Sequence, residues 1–417
     1  MRLAHGWQLT GEPEMWSAML AIAALYVGST ILTPLYPLYR DAFGISQLTV
    51  TIVYAAYVVG NLTVLFLFGK LSDQLGRRLI TLVAFGLTLL SALVFLFAGG
   101  TAGLSIGRAI NGFAAGLGAG ALTAWIAELE PRKDRARAAV VASAGNLGGL
   151  AVGGGLAGLL AQYFPSPLRT VFVIYVAALV ATSILLLRVR ETVERKAGSV
   201  ADLDLRPRVG VPADIGLQFV APACMAFAAF ALGGFFAALI PGLITQELHV
   251  SNVAVVGVVV TVFFAVACLV AALSRRLASW TAMFSGAACV FPAVALLISA
   301  ELVRSMALLI VAAALGGTAM SLSYRGSLQV LNEIAPEEKR AEVVSSYLLM
   351  CYLGNSLPVL GVGLLTTALS APTAHEVFAI VVAALAATAT VTGMAGRKRE
   401  RQASAHRNST AARFVTR

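Results

Sequence analysis

Long apolar stretches interrupted by short polar ones make up nearly the whole chain. A helix rises about 1.5 Å per residue and a bilayer's hydrocarbon core is about 30 Å thick, so a spanning helix needs about 20 mostly apolar residues. Twelve charge-poor runs of that size occur, over 16–39, 47–69, 79–98, 102–127, 139–162, 169–187, 216–245, 251–273, 280–299, 305–331, 343–369 and 375–395. Their connections are short except 188–215, which is charged and contains Pro207 and Pro212. The pattern predicts an all-α polytopic membrane protein. It has an N-terminal six-helix bundle at 1–187, a cytoplasmic linker at 188–215, a C-terminal six-helix bundle at 216–395 and a basic cytoplasmic tail at 396–417. The first run follows Glu12 and Glu14, reaches full spanning length and has no small-residue cleavage site, so it reads as a spanning helix and not a signal peptide.

Composition narrows the class further. Of 417 residues 59% are hydrophobic and 12% charged, and mean hydropathy is +0.86; soluble domains are about one quarter charged. Lipid accepts this surface because helices satisfy their own backbone. Cys224, Cys268, Cys289 and Cys351 lie far apart in apolar stretches and read as small buried residues, with no metal or redox spacing. The net charge of +10 is a topology signal. All 30 Lys and Arg residues except Arg40, Arg169, Arg304, Arg108 and Arg325 fall in the termini and the even-to-odd loops. Cations accumulate in cytoplasmic loops, which puts both termini in the cytoplasm and gives nucleic acid no part in explaining the charge.

An internal repeat relates the two bundles. Pro131 pairs with Pro336, Arg135 with Arg340 and Ala136 with Ala341 at an offset of 205, which also carries Gly149 to Gly354 and Gly158 to Gly363. Pro37 and Pro241 stand 204 apart. Parallel six-helix repeats with a mid-membrane site between them support rocking alternating access.

Residues 69 to 78 read G-K-L-S-D-Q-L-G-R-R, in the loop between the second and third runs. This closely resembles the signature G-x-L-x-D-x-x-G-R-R/K of major facilitator transporters, in the twelve-helix branch that includes drug and sugar efflux members. The resemblance implies that Gly69, Asp73, Gly76, Arg77 and Arg78 form a conformational lock against the opposite half. The matching loop of the second half, from Leu273 to Ser279, lacks the acid and the glycines. In the fourth run, L-S-I-G-R-A-I-N-G resembles the family's arginine pattern at Arg108, Asn111 and Gly112, which share one helical face. Gly112, Gly116 and Gly120 extend that face as a packing seam. The fifth run reads G-L-A-V-G-G-G-L-A-G from Gly149 to Gly158, similar to the efflux pattern G-x-x-x-G-P-x-x-G-G, with Gly154 in the proline's place and Ala157 in a glycine's. Gly149, Gly153 and Gly158 are expected to pack helices, and export is favoured over import.

The missing chemistry also constrains the reading. No acid lies near the centre of a run, and His5, His249, His375 and His406 fall in tails or loops, so the usual intramembrane proton relay is absent. Protons remain candidate coupling ions through Asp73, Glu128 or a protonated substrate. No phosphate-binding G-x-x-x-x-G-K-S/T loop is present, and no cofactor or metal is implied. A membrane enzyme would need paired acids, a metal cluster or an activated nucleophile, which the inventory lacks.

The expected function is secondary active transport of a small solute across the cell inner membrane. The alternatives are an uptake carrier or facilitator for an organic anion and, remotely, an integral membrane enzyme. Cavity candidates are the polar and aromatic residues stranded in apolar runs: Tyr54, Tyr57, Asn61, Asn111, Asn146, Gln218, Tyr324, Arg325, Tyr347 and Asn355, with Arg108. Arg325, without a central carboxylate to neutralise it, is expected to bind the anionic part of a substrate, the alternative being a structural arginine paired with backbone carbonyls or with Glu333 or Glu128.

Overall fold

The computed structural model describes residues 9–69, 71–193 and 209–415, with side chains up to 397. Lys70, the central linker 194–208 with Pro207, His5, His406 and the tail side chains beyond Arg397 lie outside the described residues. Among the described residues, twelve helices are long and apolar enough to cross a membrane: α1 Glu12–Phe43, α2 Gln47–Leu67, α3 Arg77–Leu96, α4 Thr101–Leu129, α5 Arg135–Tyr163, α6 Pro167–Leu186, α7 Ala213–Ala238, α8 Val253–Arg276, α9 Ser279–Leu302, α10 Met306–Ile334, α11 Glu337–Leu365 and α12 Ala371–Arg397. No strand occurs among the described residues.

Polar residues at the run boundaries set where the helices begin. Ser46 Oγ accepts the Thr49 N–H at 3.2 Å, Asp134 Oδ1 the Ala136 N–H at 2.9 Å and Asn252 Oδ1 the Ala254 N–H at 2.9 Å. Each satisfies a donor that the first turn leaves free. The run expected at 216–245 is not one regular helix. Regular structure stops at Leu239 before Pro241, and Leu243–Glu247 forms a π-turn. Proline has no N–H, so the Ala237 carbonyl four residues earlier loses its helical donor. Thr33 Oγ1 of α1 donates to that carbonyl at 2.8 Å. Beside Thr33, α1 is itself interrupted by a short 3₁₀ turn, Thr33–Leu35.

Close helix contacts follow the small residues. On α5, Gly149 faces the Ala23 backbone, Gly153 the Val27 backbone and Gly158 the backbone of Gly257 in α8. On α4, Gly112 lies against the Tyr57 backbone and Gly116 against Val64. Gly120 departs from this seam: a Cβ there would meet nothing within 4 Å. Core clusters fill each half, around Trp125, Phe85 and Phe172 in the first and Phe235, Phe236 and Phe263 in the second. The halves meet chiefly through α5 against α8 and α2 against α11.

Candidate functional site

Between the halves lies a cavity of about 640 Å³, within the range of small-molecule sites. Its walls carry Tyr26, Tyr54, Tyr57, Tyr324 and Tyr352, with Phe230, Phe264 and Met320, and the amides of Asn61, Asn146 and Asn355. Among the described residues, Arg275 and Arg325 are the only charged ones lining it. The walls reach Ala136, Arg275 and Leu328 at the end of the molecule that bears the 69–78 loop. At the far end the halves are joined. There Thr33 binds Ala237, Gln162 Oε1 accepts the Val253 N–H at 2.9 Å, and a Cβ on Gly242 would lie 3.1 Å from Gln47 Oε1. One cross-bond sits at the cavity itself: Tyr54 Oη donates to Asn355 Oδ1 at 3.1 Å. The cavity therefore opens toward the loop end and is closed toward the other.

The structure brings together Tyr54, Tyr57, Asn61, Asn146, Tyr324, Arg325 and Asn355 from the sequence candidates. Arg108 and Asn111 are not among the lining residues. Arg108 lies fully buried behind the tyrosine wall, donating to Tyr36 Oη at 2.6 and 3.1 Å and to the Ser29 carbonyl at 2.8 Å. Its guanidinium carbon sits 5.7 to 5.9 Å from the ring centroids of Tyr36, Tyr54 and Tyr57, within cation–π range. Asn111 is buried beside it, and its Oδ1 has no partner among the described residues. Tyr347 is buried behind Tyr324, bonded to Ser327 at 2.6 Å, and Gln218 is exposed.

Arg325 has the backbone-carbonyl partners of its structural alternative. It borders the cavity mouth, but its guanidinium is not unpaired. It donates to the carbonyls of Ser274, of Arg275 at 2.8 Å and of Leu277 at 2.9 Å. These close α8, where terminal carbonyls lack helical donors and the dipole favours a cation. Sequence reasoning overlooked Tyr26, Phe230, Tyr352 and Arg275. The repeat held one usable signal, since Tyr26 and Phe230 stand 204 apart, as Pro37 and Pro241 do.

At the loop end, Asp73 pairs with Arg77, whose guanidinium also donates to Glu128 Oε1 at 2.9 Å and to Ser72 Oγ at 2.7 Å. Glu191 accepts the backbone N–H groups of Arg77 and Arg78, both at 2.9 Å, which places a carboxylate at the positive end of α3. Arg78 also donates to the Leu187 carbonyl at 2.7 Å. Gly76, at φ +104°, turns the chain where a Cβ would strike Glu191 Oε2 at 2.6 Å. All these partners lie in the first half or, for Glu191, at the start of the segment that follows it. The expected contact of this loop with the opposite half is absent among the described residues, because the halves are parted at this end.

His375, expected in a loop, stands instead in α12. It is buried, with Nδ1 2.9 Å from Oε1 of the buried Glu301.

A sequence profile matches residues 18–358 and describes the Major Facilitator Superfamily. The quinolone resistance protein NorA of Staphylococcus aureus is 29% identical over 143 residues, 34% of this chain; the match spans about a third, 36%, of NorA's own length. Among solved structures, a bacterial homologue of the human lysosomal transporter Spinster, in an inward-facing and unoccupied conformation, superposes with a TM-score of 0.67 at 15% identity. It covers 94% of this chain and 96% of that one. The nucleoside transporter NupG superposes with a TM-score of 0.67 at 14% identity, over 91% of this chain and 100% of that one. At such identities the superpositions show the shared fold. The matched family is one of transporters and not enzymes, and its profile spans most of both halves. With twelve spanning helices in two halves around the central cavity, the chain belongs to the Major Facilitator Superfamily of membrane transporters.

Proposed function

We propose that this transporter exports amphipathic aromatic solutes, neutral or anionic, across the cell inner membrane by alternating access. The carrying observation is the cavity lining: five tyrosines, four amides and two arginines, with no carboxylate among the described residues. Tyrosine faces offer stacking area and hydroxyl donors to a planar ring. An arginine rim favours an anion and repels a cation. Tyr57, Asn146, Tyr324 and Asn355 are the contact residues of this reading. Arg275 and the outer edge of Arg325 supply the rim charge, and Arg108 with Asn111 braces the tyrosine wall from behind.

Two arguments support the direction. Similarity to NorA extends over a third of the chain, and that relative is a quinolone resistance protein. The cation-rich loops support a cytoplasmic position for the 69–78 end under the positive-inside rule. The cavity then faces the cytoplasm, ready to load a solute for export, and both termini are cytoplasmic.

Purified protein in liposomes tests the proposal with three fluorescent planar solutes of one shape carrying negative, zero or positive charge. The expected order of flux is anion, then neutral solute, with the cation slowest, and the solute is chemically unchanged. Tyr57→Ala and Asn355→Ala each lower the flux at least fivefold while the protein still inserts. A cation moved fastest would overturn the substrate class; substrate-dependent accumulation in intact cells would overturn the direction.

The cavity lining also favours a second reading, a facilitator of organic anions, since no carboxylate or imidazole there can carry a proton. Anion flux indifferent to an imposed pH gradient is its signature.

A further inference from the structure

A second cavity, of about 360 Å³, lies at the far end, in the seam where the halves are joined. Arg40, near the end of α1, and Gln47, at the start of α2, line it from the first half. From the second half come Glu247, the last residue of the π-turn beyond α7, and Thr366 and Thr367 beyond α11. Arg40 Nη1 donates to Gln47 Oε1 at 2.8 Å, and a Cβ on Gly242 of the broken α7 end would lie 3.1 Å from that same oxygen. Gln47 thus holds the guanidinium at the seam. One such bond leaves the other N–H groups of the guanidinium without a partner among the described residues. Across the seam, the Glu247 carboxylate has no hydrogen bond or ion pair among the described residues. Both side chains are partly buried and border one space, yet they are not paired with each other. Asp41, next to Arg40 in the chain, is exposed and does not line the cavity, and His375, which does, is engaged with Glu301. Leucines 48, 239 and 243 make much of the remaining wall. The Thr366 and Thr367 hydroxyls donate to the carbonyls of Gly363 and Leu364 at 2.8 and 2.7 Å, so they can only accept from a ligand.

We propose that this cavity binds a small zwitterion, its carboxylate on Arg40 and its ammonium on Glu247, and that the bound ligand holds the far end shut. Two partly buried charges of opposite sign, each without a counter-ion, bear a desolvation cost with no Coulombic return. A singly charged ligand compensates one of them and leaves the other bare. A zwitterion compensates both, keeps the cavity neutral and lays a short methylene spacer against the leucines, while the threonine hydroxyls accept from its ammonium group. The volume is that of a small-molecule site. Because the walls come from both halves, the site is complete only while the far end is closed. The ligand therefore stabilises the form whose central cavity opens at the 69–78 end and slows transport without entering that cavity. This last step rests on the alternating-access reading.

The test titrates the full chain in nanodiscs, which leave both ends accessible, with β-alanine, γ-aminobutyrate and ε-aminocaproate, and with butanoate and butylammonium as single-charge controls. At least one zwitterion should raise the melting temperature saturably, while neither control does so at equal concentration. Arg40→Gln and Glu247→Gln should each weaken that zwitterion at least about tenfold, since each removes a charge-assisted contact. Tyr57→Ala, in the central cavity, should leave its affinity unchanged. Stabilisation by none of the zwitterions, or by butanoate as strongly as by a zwitterion, overturns the proposal, and neither result needs a variant to fold. Loss of the response in Tyr57→Ala would move the ligand to the central cavity and overturn it as well. In liposomes, the stabilising zwitterion should lower the maximal rate of solute flux severalfold without raising the solute concentration for half-maximal flux. Stabilisation with unaltered flux would support the binding site and overturn its link to alternating access.

Discussion

Among the described residues, Arg108 and Arg325 are the two cations that stand well away from either end of a spanning helix, and their surroundings divide their roles. A cation in mid-bilayer costs about 2.5–3.5 kcal/mol on insertion scales unless it is partnered. Arg108 meets that cost with a tyrosine hydroxyl, a carbonyl and three ring faces. Lysine cannot reproduce the planar fork. Arg108→Lys should therefore loosen the Tyr36–Tyr54–Tyr57 wall and lower solute flux about tenfold with insertion intact, measured by flux per inserted molecule. Arg325 instead closes α8. Arg325→Gln frees two or three terminal carbonyls and should cost about 1–2 kcal/mol of stability, read as a lower melting temperature in detergent. The rim keeps the charge of Arg275, so anion affinity should fall by only about twofold. A tenfold loss of anion affinity without loss of stability would restore the direct-binding role that the sequence suggested. The sequence marked both arginines as anomalous but could not say what they touch, because their partners are carbonyls and hydroxyls from helices distant along the chain.

Helices were the most legible level, since twelve apolar runs of spanning length leave few other folds. The break at Leu239 was not, because an apolar count registers length and overlooks a proline's effect on the carbonyl four residues earlier. Glycine seams were half legible. Spacing marks a face but does not say whether another helix lies against it, and Gly112 meets the Tyr57 backbone where Gly120 meets nothing. The pair makes a direct contrast. Gly112→Ala has no room without moving α2 from α4 and should destabilise by about 1–3 kcal/mol. Gly120→Ala should be neutral or gain up to about 1 kcal/mol from helix propensity. Thermal unfolding of the two variants in one detergent checks the sign of each.

Across the whole molecule, the repeat seen in the sequence reappears as packing. Gly149 rests on Ala23 and Gly354 on Phe227, equivalent contacts about 204 residues apart within each half. Gly158 meets Gly257 and Gly363 meets Thr51, equivalent contacts between halves. The conformational state was not legible, because one sequence must encode both ends of a rocking cycle and the structure shows one of them. That difference decides what Asp73 does. Here its carboxylate is exposed and bound only within its own half, to Arg77, which Glu128 also holds. Asp73 is the exposed member of the pair, and the buried Arg77 keeps Glu128 and Ser72 without it, so Asp73→Asn should cost no more than about 1 kcal/mol in this conformation. If the loop grips the other half when the cavity end closes, the substitution removes a contact made only in that opposite state. A loss of about 1.4 kcal/mol there shifts the equilibrium about tenfold toward the form seen here. Labelling of single cysteines placed along the cavity mouth, read with and without Asp73→Asn, should show greater reactivity in the variant, slower transport and unchanged insertion. Equal reactivity in both would mean that Asp73 belongs only to the local Arg77 network.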